Sequence, residues 1–197
     1  MKNRLVILVS GSVLALTACN KNDNAAANAG SDANLAMDNG MAADNGMAAN
    51  GMAEAGPMTA QGFTNAAAAS DRFEIESSRL AAGSAKSAAV KTFATKMISA
   101  HTASTAKLKG VVGGMNPSIT PDDTLSAEQQ STLDSLKGKT GADFDAAYAA
   151  AQVDAHQKTL DALKNYAASG DNPQLKDFAS GMVPTVTAHL NMAKALK

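Results

Sequence analysis

Apolar residues recur at intervals of three and four throughout residues 61–197, and no alternating run of β-branched residues breaks the pattern, so the whole stretch predicts amphipathic helices. A first long helix is expected from about Thr59 to Ala82, with Phe63, Ala66, Ser70, Phe73, Ser77 and Leu80 turned inward and Gly83 ending it. The second, with Ser84 as its N-cap, carries Val90, Ala94, Met97, His101, Ser104, Leu108 and Val111 on one stripe and stops at Gly113 and Gly114. A connection containing Pro117 and Pro121 leads to a short helix near Ser126–Lys137, opened by Ser126 and Gln129 at capping-box spacing. The third long helix begins at Thr140, with Asp143 three residues on, and its stripe is Ala149, Val153, His156, Leu160, Leu163 and Ala167. The fourth enters through Asn172 and Pro173, a good N-cap and first-turn pair. Its stripe is Leu175, Phe178, Met182, Val186, His189, Ala193 and Leu196.

Four narrow apolar stripes are most simply buried together in an all-α four-helix bundle, with a long crossover between the second and third long helices that contains the short one. Pro184 falls inside the fourth long helix, five residues before His189, where it removes a backbone hydrogen bond and is expected to kink the chain.

The pattern upstream is different in kind. Lys2 and Arg4 precede a mostly apolar run, Leu5 to Leu16, and Leu16, Thr17, Ala18 and Cys19 close it with small residues before the single cysteine. This is the build of a lipoprotein signal peptide over residues 1–18, cleaved so that Cys19 carries the lipid. A membrane-spanning helix needs about 20 apolar residues, and Asn20, Lys21, Asn22 and Asp23 interrupt the run too early. Two or more acyl chains anchor a protein stably, and Asn20, where an Asp would favour retention at the inner membrane, directs the expectation to the outer membrane, facing the periplasm. Residues 19–60 repeat a Gly-Met-Ala unit spaced by Asn and Asp, a low-complexity, disordered tether with a reach of about 35 Å. Met37, Met41, Met47, Met52 and Met58 are soft thioethers of the kind that select Cu(I), but their irregular spacing in coil is what an expanded repeat produces, and a spacer is the simpler reading.

Charge and cysteine usage remove several classes of function. Seventeen basic and eighteen acidic residues leave no positive excess for nucleic acid. With Cys19 acylated, no thiol remains for a disulfide, a thiolate metal site or a cysteine nucleophile. No glycine-rich phosphate loop follows a strand, and no serine sits in a nucleophile-elbow context.

The chemical clue is the histidines. All three, His101, His156 and His189, lie on the apolar stripes of three different helices. The first helix offers Glu74 at the inner edge of its stripe, while Asp71 and Glu76 are expected to turn toward solvent. A rise of about 1.5 Å per residue puts Glu74 and the three histidines at mid-bundle, but with a spread of about 13 Å. That is too wide for one ion with metal–nitrogen bonds of about 2.0–2.1 Å unless the helices slide.

The segments EIESSRLA (Glu74–Ala81), VKTFATKMISAH (Val90–His101), FDAAYAAAQVDAH (Phe144–His156) and LKDFASGMVPTVTAHL (Leu175–Leu190) resemble, in order, the domain of unknown function 4142 family. The resemblance covers residues 61–197 and implies a ferritin-like helical fold in an outer-membrane or periplasmic protein. It also implies that the family's first-helix acid is Glu74 and that its three helical histidines are His101, His156 and His189. Members often carry an acid directly before the second-helix histidine, where this chain has Ala100. Di-iron chemistry is not expected. Such sites pair each histidine with a Glu three residues earlier, and here those positions are Ile98, Val153 and Val186.

Two functions fit these residues. One is a non-enzymatic, lipid-anchored binding module for an envelope protein or a small ligand, its imidazoles bonded to Glu74, Ser or Thr side chains or carbonyls. The other is a periplasmic protein that holds Zn²⁺, Cu²⁺ or Fe²⁺ with Glu74, His101, His156 and His189. Mass spectrometry of the mature N-terminus is expected to find Cys19 acylated; an unmodified Cys19 there removes the anchor.

Overall fold

The computed structural model describes residues 58–196. The leader, Cys19 and the tether up to residue 57 lie outside the described residues. The described chain forms an all-α bundle of five helices: α1 (Ala60–Ser84), α2 (Ala88–Gly113), the short α3 (Ala127–Lys137), α4 (Gly141–Ser169) and α5 (Pro173–Lys194).

Local signals set most of the boundaries. Ser126 and Gln129 form a reciprocal capping box at the start of α3, and Asn172 accepts from Leu175 N–H with Pro173 in the first turn of α5. The α1–α2 boundary falls later than expected. Gly83 does not end α1, which runs on to Ser84, and the N-cap of α2 is Ser87 rather than Ser84. The cause is Asp145 on α4. Its Oδ1 and Oδ2 accept from Lys86 N–H at 3.1 Å and Ser87 N–H at 2.8 Å, so an extended link is satisfied without a left-handed glycine. Thr140 is the N-cap of α4 but makes no side-chain capping bond; Gly141 there takes φ +65°, a conformation glycine adopts without strain, and bridges Ala85. Gly170 ends α4 under a tighter constraint, since a Cβ there would meet Tyr166 Cε1 at 2.5 Å.

The contacts define the directions. Phe63, near the start of α1, stacks on Tyr166, near the end of α4, at 4.1 Å. Asp145, near the start of α4, touches the α1–α2 link. Helix α1 therefore rises, α2 descends, the connection climbs back, α4 descends and α5 rises. Helices α1 and α2 pack as one hairpin, α4 and α5 as another, and α1 lies against α4 and α2 against α5. The climbing connection is laid along α1 and α4: Asp122 N–H donates to Asn65 Oδ1, Gln61 Nε2 donates to Thr120 O, and Lys158 on α4 pairs with Glu128 on α3 at 2.6 Å. Helix α5 continues through Pro184, which sits on its exposed side.

Because α1 touches α2, α3 and α4, its buried arc is wider than a single stripe. Ala66 is exposed, whereas Thr64, Ala68, Asp71 and Ser78 are buried. The apolar interior divides into two clusters. One, at the Tyr166 end, gathers Phe63, Leu108, Leu160, Leu163, Leu175 and Phe178. The other, at the Asp145 end, gathers Val90, Phe93, Met97, Leu136, Phe144 and Tyr148. Between them, along each long helix, lie the buried polar residues Glu74, His101, Gln152, His156 and His189. Asp145→Ala leaves two link N–H groups without their carboxylate, and is expected to lower unfolding stability in urea by about 2 kcal/mol. An unchanged denaturation midpoint contradicts that role.

Candidate metal centre

Each histidine reaches the polar layer from a different helix: His101 from α2, His156 from α4 and His189 from α5. All three are at most 5% exposed. Their ring centroids form a nearly equilateral triangle with sides of 5.6, 5.6 and 5.5 Å. The expected 13 Å spread in depth is therefore wrong. Counted from the same end of the bundle, His101 is 12 residues before Gly113, His156 is 13 before Ser169 and His189 is 16 after Pro173. That difference is only about 6 Å of rise, and the staggered helix ends absorb it.

Hydrogen bonding orients two of the rings. Asp71 Oδ1 lies 2.8 Å from His101 Nδ1, and facing a carboxylate the nitrogen is the donor. The carbonyl of Gln152 lies 2.8 Å from His156 Nδ1 and can only accept, so that nitrogen donates as well. Their other nitrogens, His101 Nε2 and His156 Nε2, are buried without a hydrogen-bond partner, as is His189 Nδ1. One ring nitrogen from each histidine lies within 4.8 Å of the others. A triangle of that size has its centre about 2.8 Å from each corner, so inward shifts below about 1 Å per ring reach ordinary metal–nitrogen distances of about 2.0–2.1 Å. Three imidazoles that bring one nitrogen each this close together, each ring also holding a buried nitrogen without a partner, are what a transition-metal ion satisfies, and the residues fit one.

Glu74 is in the layer but in a different relation to it. It is 1% exposed, its Oε1 lies 3.5 Å from His156 Nδ1, and neither carboxylate oxygen has a hydrogen-bond partner. It thus sits beside the side of His156 turned away from the free Nε2. Beneath it, Gln152 Nε2 donates to Ser77 Oγ, which in turn donates to the Glu74 carbonyl.

Asp71 corrects the sequence reading, which turned it toward solvent. It is 5% exposed and accepts from both His101 and, at 3.0 Å, the Thr105 hydroxyl. The signal was present in the spacing: Asp71 and Glu74 are three residues apart, so one face of α1 presents both. Glu76 stays at the surface with Arg72 at 2.8 Å.

Electrostatics separate the three rings. Burial lowers His156 to about 4, against a partial rise from the Gln152 bond, and burial likewise lowers His189 to about 4, aided by the charges of His101 and Lys96. Both are neutral, with lone pairs available, at neutral pH. For His101, burial pushes downward, but the Asp71 bond and the negative charges of Glu74 and Asp71 together raise it above the ordinary histidine value. Burial pushes Glu74 up to about 7, against the opposing pull of His101 and Gln152.

A helical bundle that buries one imidazole from each of three helices at a single level defines a class of protein with a preformed interior nitrogen cluster. This chain belongs to the family described as "Domain of unknown function (DUF4142)", whose model matches residues 42–196. Among solved structures it is similar to "CopM in the Cu(II)-bound form", with a TM-score of 0.58 at 15% identity over 70% of this chain and 94% of that one. It is similar also to "CopM in the Cu(I)-bound form", with a TM-score of 0.57 at the same identity and coverage. At that identity the likeness is one of fold. No curated protein matches the chain.

These shifts have opposite signs in stability. A Glu74 raised from 4.5 to about 7 contributes stability that is complete below about 4.5 and lost as pH rises through about 7. Histidines lowered from 6.5 to about 4 contribute stability that is complete above about 6.5 and lost as pH falls toward about 4. Glu74→Gln is therefore expected to match wild type near pH 5 and to exceed it at pH 8 by on the order of 2 kcal/mol. Urea unfolding at both values checks this, and a pH-independent difference contradicts it.

Proposed function

We propose that this protein binds copper in the envelope, holding one ion per chain with His101, His156 and His189 while Asp71 and Glu74 balance its charge. The observation that carries the reading is that one ring nitrogen from each of three buried histidines lies within 4.8 Å of the others, in a layer where His101 Nε2, His156 Nε2 and His189 Nδ1 have no hydrogen-bond partner. An uncompensated gathering of lone pairs in an apolar interior is costly, and a cation removes the cost. Imidazole donors suit copper, zinc and iron, and Cu²⁺ stands highest among divalent ions in affinity for such sites. With an ion bound, His101 and Glu74 would give up their protons, and two carboxylates beside three neutral imidazoles would offset a dication. The copper-bound form of CopM, a bundle of similar fold, supports the choice of metal.

The activity is sequestration or delivery rather than catalysis, because the imidazoles are nearly sealed from solvent and from any substrate. The signal-like leader that ends at Cys19, followed by Asn20, supports a lipid-anchored, outer-membrane, periplasm-facing location. No helix among the described residues is long and apolar enough to cross a membrane.

Full-length protein purified without chelator or affinity tag is expected to take up one copper ion per chain. Excess copper at about 100 times the dissociation constant is expected to add about 2.7 kcal/mol to unfolding stability. His156→Ala removes a ligand, so its copper affinity is expected to fall by more than the roughly 10–100-fold seen when only a supporting group is lost. Elemental analysis and competition with a chromophoric chelator read both effects. Protein that remains metal-free, with unchanged melting in copper, returns the function to a metal-independent binding module.

A further inference from the structure

The three imidazoles are alike as ligands but not in what stands behind them. Behind His101 is the carboxylate of Asp71; behind His156 Nδ1 is a neutral backbone carbonyl, with Glu74 at a longer 3.5 Å. Asp71 is itself fixed from two sides. Its Oδ1 accepts from His101 Nδ1 at 2.8 Å, and its Oδ2 accepts from Thr105 Oγ1 at 3.0 Å, while the same hydroxyl lies 2.9 Å from the His101 carbonyl. Thr105 also lines an open groove between α1, α2 and the connection.

A carboxylate that accepts from one ring nitrogen has two effects on the other. It selects the tautomer, because a proton kept on Nδ1 leaves Nε2 with a bare lone pair directed at the cluster. It also makes that lone pair more basic, and its negative charge favours a higher charge on the bound ion. An ion of charge two gains more from both than an ion of charge one.

We infer that Asp71 is a positioning residue that locks the ring of His101 and biases the site toward Cu(II) over Cu(I). The inference rests on the copper reading above for its metal, but not for its tautomer. Asp71→Asn keeps an oxygen for His101 Nδ1–H and a group for Thr105, and removes only the charge. Asp71→Ala removes both.

The test reads two quantities on the full chain. In metal-free protein at alkaline pH, imidazole ¹⁵N shifts report the tautomer: His101 is expected to carry its proton on Nδ1 in wild type and Asp71→Asn, and to shift toward Nε2 in Asp71→Ala. In protein titrated with Cu(I) and with Cu(II) against chelators, Asp71→Asn is expected to lose about tenfold in Cu(II) affinity and to keep its Cu(I) affinity within about twofold. A tenfold change in that ratio raises the one-electron potential by about 59 mV. Asp71→Ala is expected to weaken both ions. Equal losses of Cu(I) and Cu(II) in Asp71→Asn, or an unchanged His101 tautomer in Asp71→Ala, overturn the inference. A wild-type chain that binds neither ion state ends the copper reading and the Cu(II) bias with it, and the ¹⁵N shifts still decide whether Asp71 sets the ring.

Discussion

Removing three imidazoles and two carboxylates from water at one level of a helical bundle is the constraint to which the rest of the molecule answers. Unpaired, each charged group in such a layer costs several kcal/mol. The costs are contained by different means. Asp71 and His101 bond each other directly. His156 and His189 stay neutral because burial lowers them to about 4, and Glu74 rises to about 7 for the same reason. Hydrogen bonding leaves over both Glu74 carboxylate oxygens, Gln152 Oε1 and one ring nitrogen of each histidine, and the three imidazoles bring one ring nitrogen each to within 4.8 Å of the others.

Topology puts them there. If the connection after α2 were a tight turn, α4 would begin at the Tyr166 end and run the other way, and His156, near its middle, would take a different neighbour. The long climb through α3 instead lets α4 start beside the α1–α2 link, where Asp145 satisfies Lys86 and Ser87. The descending α2 and α4 then face the ascending α1 and α5. The apolar clusters on either side, one around Phe63, Tyr166 and Phe178 and one around Phe93, Phe144 and Tyr148, hold that alignment through close ring contacts.

Much of this was legible in the chain, for reasons that differ from place to place. The capping pairs Ser126–Gln129 and Asn172–Pro173 are local chemistry, and both start helices where expected. The inward histidines follow from helical periodicity alone, and all three are buried. Gly83 and Ser84 misled because the end of α1 is decided by Asp145, about 60 residues away, which no local pattern reports. Asp71 was misplaced because a single narrow stripe was assumed for α1, whereas contact with three other helices widens its buried arc. Depth along the bundle failed because a residue count on one axis takes the helix ends as level, whereas the ends are staggered.

The seal over the cluster governs time as well as energy. With each ring at most 5% exposed, an ion bound there would be enclosed by the surrounding packing. Local openings draw on the stability of that packing, so under the proposed metal-binding reading the residence of an ion would follow how often the bundle opens.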